Sequence, residues 1–230
     1  MSAPESTLEL AGLRTTCVGD ADTAPLVVVL LHGFQMTPAD LTPFAHSLAA
    51  PAWFLFPEAP LPAAPSGRAW WHIDAALREK ALAAGPRDFA EQHPPDLPAA
   101  RARLGELLDA VRARAGDRRL VLGGFSQGGM LSCDTLLRST FDLAALALFS
   151  ASRIAFDEWR PLLASGRLRD LPVLVTHGAT DADLAFAAGE RLRDCLSEAG
   201  ARVDWLPFDQ GHEIPLVVWR RFRKLLLSLA

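Results

Sequence analysis

The stretch RLVLGGFSQGGMLSCD, Arg119 to Asp134, runs from an apolar segment through a glycine-flanked serine into a helix-compatible segment. Gly124-Phe125-Ser126-Gln127-Gly128 has the G-x-S-x-G spacing, which belongs at a sharp turn between a buried strand and a helix. A serine held there has a strained backbone, and the residues two places to either side approach each other closely. Glycine at both places avoids a Cβ clash. The turn lifts the serine Oγ above a sheet and points the N–H of Gln127 toward a reacting carbonyl. A phosphate-cradling loop is the rival. It fails because no lysine follows the glycines and G-x-G-x-x-G cannot be laid on these residues. The stretch by itself leaves a nucleophile turn and a crowded strand–helix junction as alternatives.

Working outward, PLVVVLLHGF, AWFLFPEAP, RLVLGGF, LAALALFS, LPVLVTHG and RVDWLPFDQGH read as strands with helix-like segments between most of them. LELAGLRTTCVG alternates loosely and reads as an edge hairpin. In TPADLTPFAHSLAA, Thr37 is placed as a helix N-cap with Pro38 at the first helical position. AARARLGELLDAVRARAG carries Leu104, Leu107, Leu108 and Val111 at helical spacing and closes on Gly116. Strand and helix in alternation predict an α/β chain, with a mostly parallel central sheet and helices on both faces. Residues 1–230 read as one domain, and residues 60–98, rich in proline and carrying Trp70 and Trp71, as one irregular excursion over the sheet.

Chemistry in such sheets gathers at the carboxyl ends of the strands. Three of those ends supply serine, acid and histidine in the chain order this architecture uses: Ser126, Asp181 in HGATDAD, and His212 in DQGHEIP. A serine hydroxyl needs a neutral imidazole to take its proton, and the imidazole needs a carboxylate on its other nitrogen. Asp183 is the alternative acid; Asp181 is preferred because it lies nearer the strand end. The loop after the early strand supplies the second oxyanion donor beside Gln127. The N–H of Phe34 is the choice, with Gln35 next. His32 and His177 lie on the wrong loops for the base and read as structural, His46 sits in a helix, and His93 reads as solvated. Trp70 and Trp71 have two readings of equal standing, as the lining of an acyl pocket or as packing of a long loop onto the core.

Composition sets outer bounds. Half of the 230 residues are hydrophobic, 22% are charged and the net charge is −4, so no basic excess points to nucleic acid. Three scattered cysteines, Cys17, Cys133 and Cys195, argue against a disulfide framework and fit a reducing compartment. No H-E-x-x-H or paired-cysteine motif implies a metal, and the chemistry needs no cofactor. MSAPESTLEL lacks the basic and apolar regions of a secretory signal, and LVVVLL is too short to span a bilayer, so the expected address is cytoplasmic. The basic, apolar C-terminal segment LVVWRRFRKLLLSLA reads as a covering helix with a solvated basic edge rather than a membrane contact.

LHGF, GFSQGG, HGATD and GHEIP, in that order, resemble the carboxylesterase/phospholipase family of α/β-hydrolases, which includes small bacterial carboxylesterases and acyl-protein thioesterases. WWHID also resembles the family's W-[FY]-D-[IL] segment, with His72 in place of the usual acidic residue. The resemblance implies Ser126 as nucleophile, Asp181 as acid, His212 as base, and Phe34 and Gln127 as oxyanion donors, matching the assignments made from the residues. The expected activity is that of a serine hydrolase cleaving carboxylic esters of short to medium acyl chains through an acyl-enzyme on Ser126, with thioesters and lysophospholipids as further candidate substrates. The sequence departs from the family after the acid, where Leu184 stands at a usual valine and the usual proline is missing. A non-catalytic binding protein and an acyltransferase or peptidase with the same triad are the alternatives.

Overall fold

The computed structural model describes residues 3–230. Alternating side chains in its apolar strands build a sheet covered on both faces. In β3 (Leu26–Leu31), all six residues are buried. Val27, Val29 and Leu31 enter one apolar cluster, while Leu26, Val28 and Leu30 enter the other. Each fully buried Val or Leu contributes roughly 1.5–3 kcal/mol, and this two-sided demand excludes an edge position for β3.

β1 (Glu5–Leu10) and β2 (Leu13–Val18) form the expected antiparallel hairpin. Their turn passes through Ala11 and Gly12, both at positive φ (49° and 71°). β2 pairs antiparallel with β4 (Ala52–Pro57), and β4 pairs parallel with β3. On the other side of β3 follow β7 (Arg119–Phe125), β8 (Ala145–Phe149), β9 (Pro172–Gly178) and β10 (Arg202–Phe208), all parallel. The eight-stranded order is β1-β2-β4-β3-β7-β8-β9-β10. The chain therefore leaves β3 toward β4 and later returns to its opposite side at β7. This reversal opens a crevice at the carboxyl ends of β3 and β7, where an open α/β sheet binds ligands.

Helices α1 (Thr42–Leu48) and α7 (Leu216–Leu229) cover one face. Leu41 and Leu48 pack there with Val218, Trp219, Phe222 and Leu226. On the other face lie α3 (Leu97–Ala115), α4 (Gln127–Arg138), α5 (Phe156–Leu163) and α6 (Phe186–Glu198). The periodic leucines of α3 are fully buried, and Gly116 caps its end at positive φ. α7 is the covering helix the sequence suggests, with its basic residues outside the buried stripe. Among the described residues, no helix is long and apolar enough to cross a membrane.

Two local expectations change. Thr37 does not begin the predicted helix. It caps a single 3-10 turn, Pro38–Asp40, through a reciprocal box in which the Thr37 N–H donates to the Asp40 carboxylate at 2.7 Å. α1 starts afresh at Thr42, with Pro43 in its first turn. The reciprocal bonds satisfy the orphan donors of one turn only, and Pro43 has no N–H to carry the ladder on. The 60–98 excursion is also more ordered than its composition suggests. It contains the hairpin β5 (Leu61–Ala63) with β6 (Gly67–Ala69), then α2 (Ala75–Ala83), which is capped by the Asp74 side chain and has no buried residue.

Candidate active site

Ser126 leaves β7 with φ 52° and ψ −116°, a conformation L-residues rarely adopt. Its N–H donates to the Phe149 carbonyl at 2.9 Å, which fixes the turn to the end of β8. The glycines around it are sterically required. A Cβ on Gly124 would lie 2.5 Å from the Gly128 carbonyl carbon, and one on Gly128 would lie 2.5 Å from the Leu31 carbonyl oxygen. Gly129 lets α4 approach β7, because its Cβ would meet the Gly124 oxygen at 2.8 Å.

The loops after β9 and β10 bring their residues to this turn. His212 Nδ1–H donates to Asp181 Oδ2 at 2.6 Å, and the Ser126 hydroxyl donates to His212 Nε2 at 2.9 Å. A carboxylate only accepts, so Nδ1 carries the imidazole proton and Nε2 is left free to accept. Asp181 is buried, and its other oxygen accepts the N–H groups of Asp183 and Leu184, each at 2.8 Å. Three acceptor contacts aim the carboxylate. This relay can take the serine proton onto the imidazole while Asp181 steadies the resulting cation.

Asp183 has a different position. Its carboxylate accepts from the guanidinium groups of Arg78 and Arg87. Burial tends to push its carboxyl up, but the Arg87 hydrogen bond and nearby positive charge outweigh this and hold it below the usual range. Leu184, at the departure from the family pattern, is fully buried. Its N–H binds Asp181 and its carbonyl accepts from His177 Nε2 at 3.1 Å. The acid loop is therefore organised without the usual proline.

Opposite the serine, Leu31 of β3 pairs with Gly124 of β7, which sets the two following loops side by side. Among the described residues, no carbonyl or side-chain oxygen accepts from the N–H of Phe34 or of Gln127. The Gln35 N–H, by contrast, is already bound to the Arg68 carbonyl at 2.9 Å. This occupancy makes Phe34 the better-suited donor of the two.

The Gln127 side chain is a finding that sequence reasoning missed. With its backbone N–H as the only feature of interest, this side chain would be expected to vary freely. It is instead buried: Oε1 accepts the Trp70 N–H at 2.8 Å and Nε2 donates to the Trp71 carbonyl at 2.9 Å. It ties the excursion to the start of α4. Both tryptophans are buried to 1% exposure, but their positions differ. Trp71 lines the cleft of about 240 Å³ that contains Ser126 and His212; Trp70 is not among its walls. The Trp70 Nε1–H donates to the His32 carbonyl at 2.9 Å, so this residue packs behind the loop that carries Phe34.

His32 and His177 are structural, in keeping with the sequence. His32 is buried; its Nδ1–H donates to the Gly33 carbonyl at 2.8 Å and its Nε2 accepts the Ala59 N–H at 3.1 Å. Burial pushes its pKa down to about 4. Burial likewise lowers that of His177. His93 is half-exposed and pairs with Asp157, while His46 lies on α1 beside Glu5. All three cysteines are buried and free, and burial raises their pKa values. Among the described residues, no group of three or more His, Cys, Asp or Glu could hold a metal ion.

The profile of the Phospholipase/Carboxylesterase family matches residues 15–226. The acyl-protein thioesterase 1 of Cryptococcus neoformans var. neoformans is 34% identical over 100 residues, a segment covering 40% of this chain and 39% of that protein. The acyl-protein thioesterase 1 of Neurospora crassa is 28% identical over 96 residues, covering 41% of this chain and 39% of that protein. The chain thus matches about two fifths of the length of these curated relatives. Among solved structures, esterase PE8 superposes with a TM-score of 0.76 at 22% identity over 100% of both chains. The carboxylesterase from Mesorhizobium loti gives 0.73 at 20% identity, over 99% of this chain and 100% of that one. Zea mays acyl-protein thioesterase 2 gives 0.76 at 19%, over 94% of this chain and 98% of that one. At these identities the structural matches establish the fold alone, an α/β-hydrolase sheet with its covering helices. Taken with the match across nearly the whole length, they lead to one assignment: the chain belongs to the phospholipase/carboxylesterase family.

Proposed function

We propose that this protein is a serine hydrolase that cleaves carboxylic esters or thioesters of short to medium acyl chains through an acyl-enzyme on Ser126. The observation that carries the proposal is the unbroken Asp181–His212–Ser126 hydrogen-bond chain, 2.6 Å and 2.9 Å in its two links. His212 Nε2 takes the hydroxyl proton as Oγ attacks the acyl carbonyl. The N–H groups of Phe34 and Gln127 receive the oxyanion of the tetrahedral intermediate. His212 returns the proton to the departing alcohol or thiol. Water, activated by the same nitrogen, then releases the acid and restores the serine.

Membership of the phospholipase/carboxylesterase family supports an ester bond as the target, and the partial relationship to proteins named acyl-protein thioesterase supports a thioester. The cleft of about 240 Å³ and its Trp71, Ile73 and Met130 walls suit a modest apolar acyl chain. The decisive experiment is hydrolysis of a chain-length series of p-nitrophenyl esters and acyl thioesters by wild type and Ser126→Ala. The substitution is expected to lower kcat by on the order of 10⁴ or more. It should also abolish labelling by a fluorophosphonate probe. Wild-type turnover by Ser126→Ala would end this mechanism.

A further inference from the structure

The cleft holding Ser126 adjoins a second cavity of about 710 Å³, and Trp71, Ile73, Arg78, Arg87 and Phe89 line both. Arg78 comes from α2 and Arg87 from the loop after it, so the excursion places two guanidinium groups on the wall between the cavities. Both bind the single carboxylate of Asp183. The ionisable groups lining the inner cleft are Arg78, Arg87, Asp183 and His212. With His212 neutral, the lining itself carries two positive charges against one negative; the Asp181 carboxylate sits buried behind His212 and does not line the cleft.

A simple latch between excursion and acid loop would need only one arginine for one carboxylate. Here the second charge is partly withdrawn from water: the Arg87 side chain is 16% exposed and that of Arg78 is 29%. Donors also remain. A guanidinium has five N–H groups. Among the described residues, Arg78 uses one of its five on Asp183, and Arg87 uses two, through Nη2 and Nε. The Arg78 guanidinium lies 5.7 Å from the centre of the Phe34 ring, on the proposed oxyanion loop. Of the acidic groups of the outer cavity, Asp88 is paired with Arg153 and Arg191, each at 3.0 Å, and Asp74, which caps α2 through the Leu77 N–H, keeps its charge but does not line the inner cleft.

We propose that Arg78 and Arg87 form an anion-recognition wall, and that the preferred substrate is an ester or thioester carrying a carboxylate a few atoms from the scissile carbonyl. A singly charged carboxylate matches the one-unit excess and takes the remaining guanidinium donors in the paired geometry arginine favours. This rests on the Ser126 hydrolase reading and names the substrate class for it.

The test compares kcat/KM for matched anionic and neutral substrates on the same enzyme, so a general loss of activity cancels in the ratio. One pair places the charge on the acyl side, the p-nitrophenyl monoester of adipic acid against p-nitrophenyl hexanoate. The other places it on the leaving group, the butyrate ester of para-hydroxybenzoate against that of para-hydroxybenzamide. Wild type should prefer the anion in at least one pair. In that pair Arg87→Gln and Arg78→Gln should each lower the anionic-to-neutral ratio about tenfold, the scale of one charge-assisted hydrogen bond. Arg78 lies on a helix without buried residues, so its variant reports even where Arg87→Gln folds poorly. Asp183→Asn should raise the ratio by removing the competing carboxylate. A wild-type ratio at or below one in both pairs overturns the proposal, as does a ratio that none of the three substitutions moves. Either result is compatible with Ser126-dependent hydrolysis of the neutral esters, whereas neutral-ester turnover by Ser126→Ala overturns the underlying mechanism.

Discussion

At the scale of single residues, Gln127 joins two roles that separate atoms perform. Its backbone N–H is the proposed oxyanion donor, and its carboxamide holds the backbone of Trp70 and Trp71. Replacing it with alanine would leave a buried N–H and a buried carbonyl without partners. Gln127→Ala is therefore expected to lower unfolding free energy by about 2–4 kcal/mol, measured by urea titration. Gln127→Glu keeps the acceptor for Trp70 but buries a carboxylate whose other oxygen faces the Trp71 carbonyl, so a loss at least as large is expected. The two aspartates of the acid loop make a related point. Asp181 and Asp183 are two residues apart, yet one faces the imidazole and the other faces two arginines. Chain order and distance from the strand end point to the first. Nothing in the local pattern reveals the arginines, because Arg78 and Arg87 lie in an excursion without motif or clear periodicity.

At the scale of elements, the helix layer behind the serine turn is tied by one buried carboxylate. Asp134 of α4 accepts from Trp159 Nε1 of α5 at 2.8 Å, from Arg101 Nε of α3 at 2.5 Å and from Arg138 Nε of its own helix at 3.2 Å. The carboxylate is fully buried, so its removal strands the Arg101 charge and an indole N–H, while Arg138 keeps Glu158 as a partner. Asp134→Ala is expected to cost about 3–5 kcal/mol of stability by chemical denaturation. The same element carries Ser126 at its strained start, so rigid seating of α4 also holds the proposed nucleophile in place. The Arg119–Asp134 stretch announces the strand, turn and helix plainly, because its glycines and apolar run are local signals. The clip is silent in sequence: its acceptor and donors are scattered from Arg101 to Trp159, and only helix packing collects them.

At the scale of the whole molecule, burial of neutral His32 at the crevice makes stability depend on pH. Its folded pKa of about 4 lies below the unfolded value of 6.5. Between those values the unfolded chain binds the proton and the folded one does not, so stability falls as pH drops through that window. The slope from this group approaches about 1.4 kcal/mol per pH unit. The expected measurement is urea unfolding from pH 7 to pH 4.5, where His32→Asn should show a shallower decline than wild type. His177, also lowered by burial, acts in the same direction. The sheet that buries both histidines was legible in the sequence, since apolar strands separated by amphipathic segments can satisfy both faces in few ways. Ser126, Asp181 and His212 were legible too, because each follows a strand and a parallel sheet puts all such ends on one edge. Sequence by itself thus determined the sheet, the chain order of the candidate triad and the glycines its turn needs, all consequences of local pattern and sheet topology. Tertiary structure alone decided that Trp71 and not Trp70 walls the cleft, that Gln127 holds both, and that Arg78 and Arg87 converge on Asp183. Those contacts join segments with no common periodicity, so only the packed excursion brings them together.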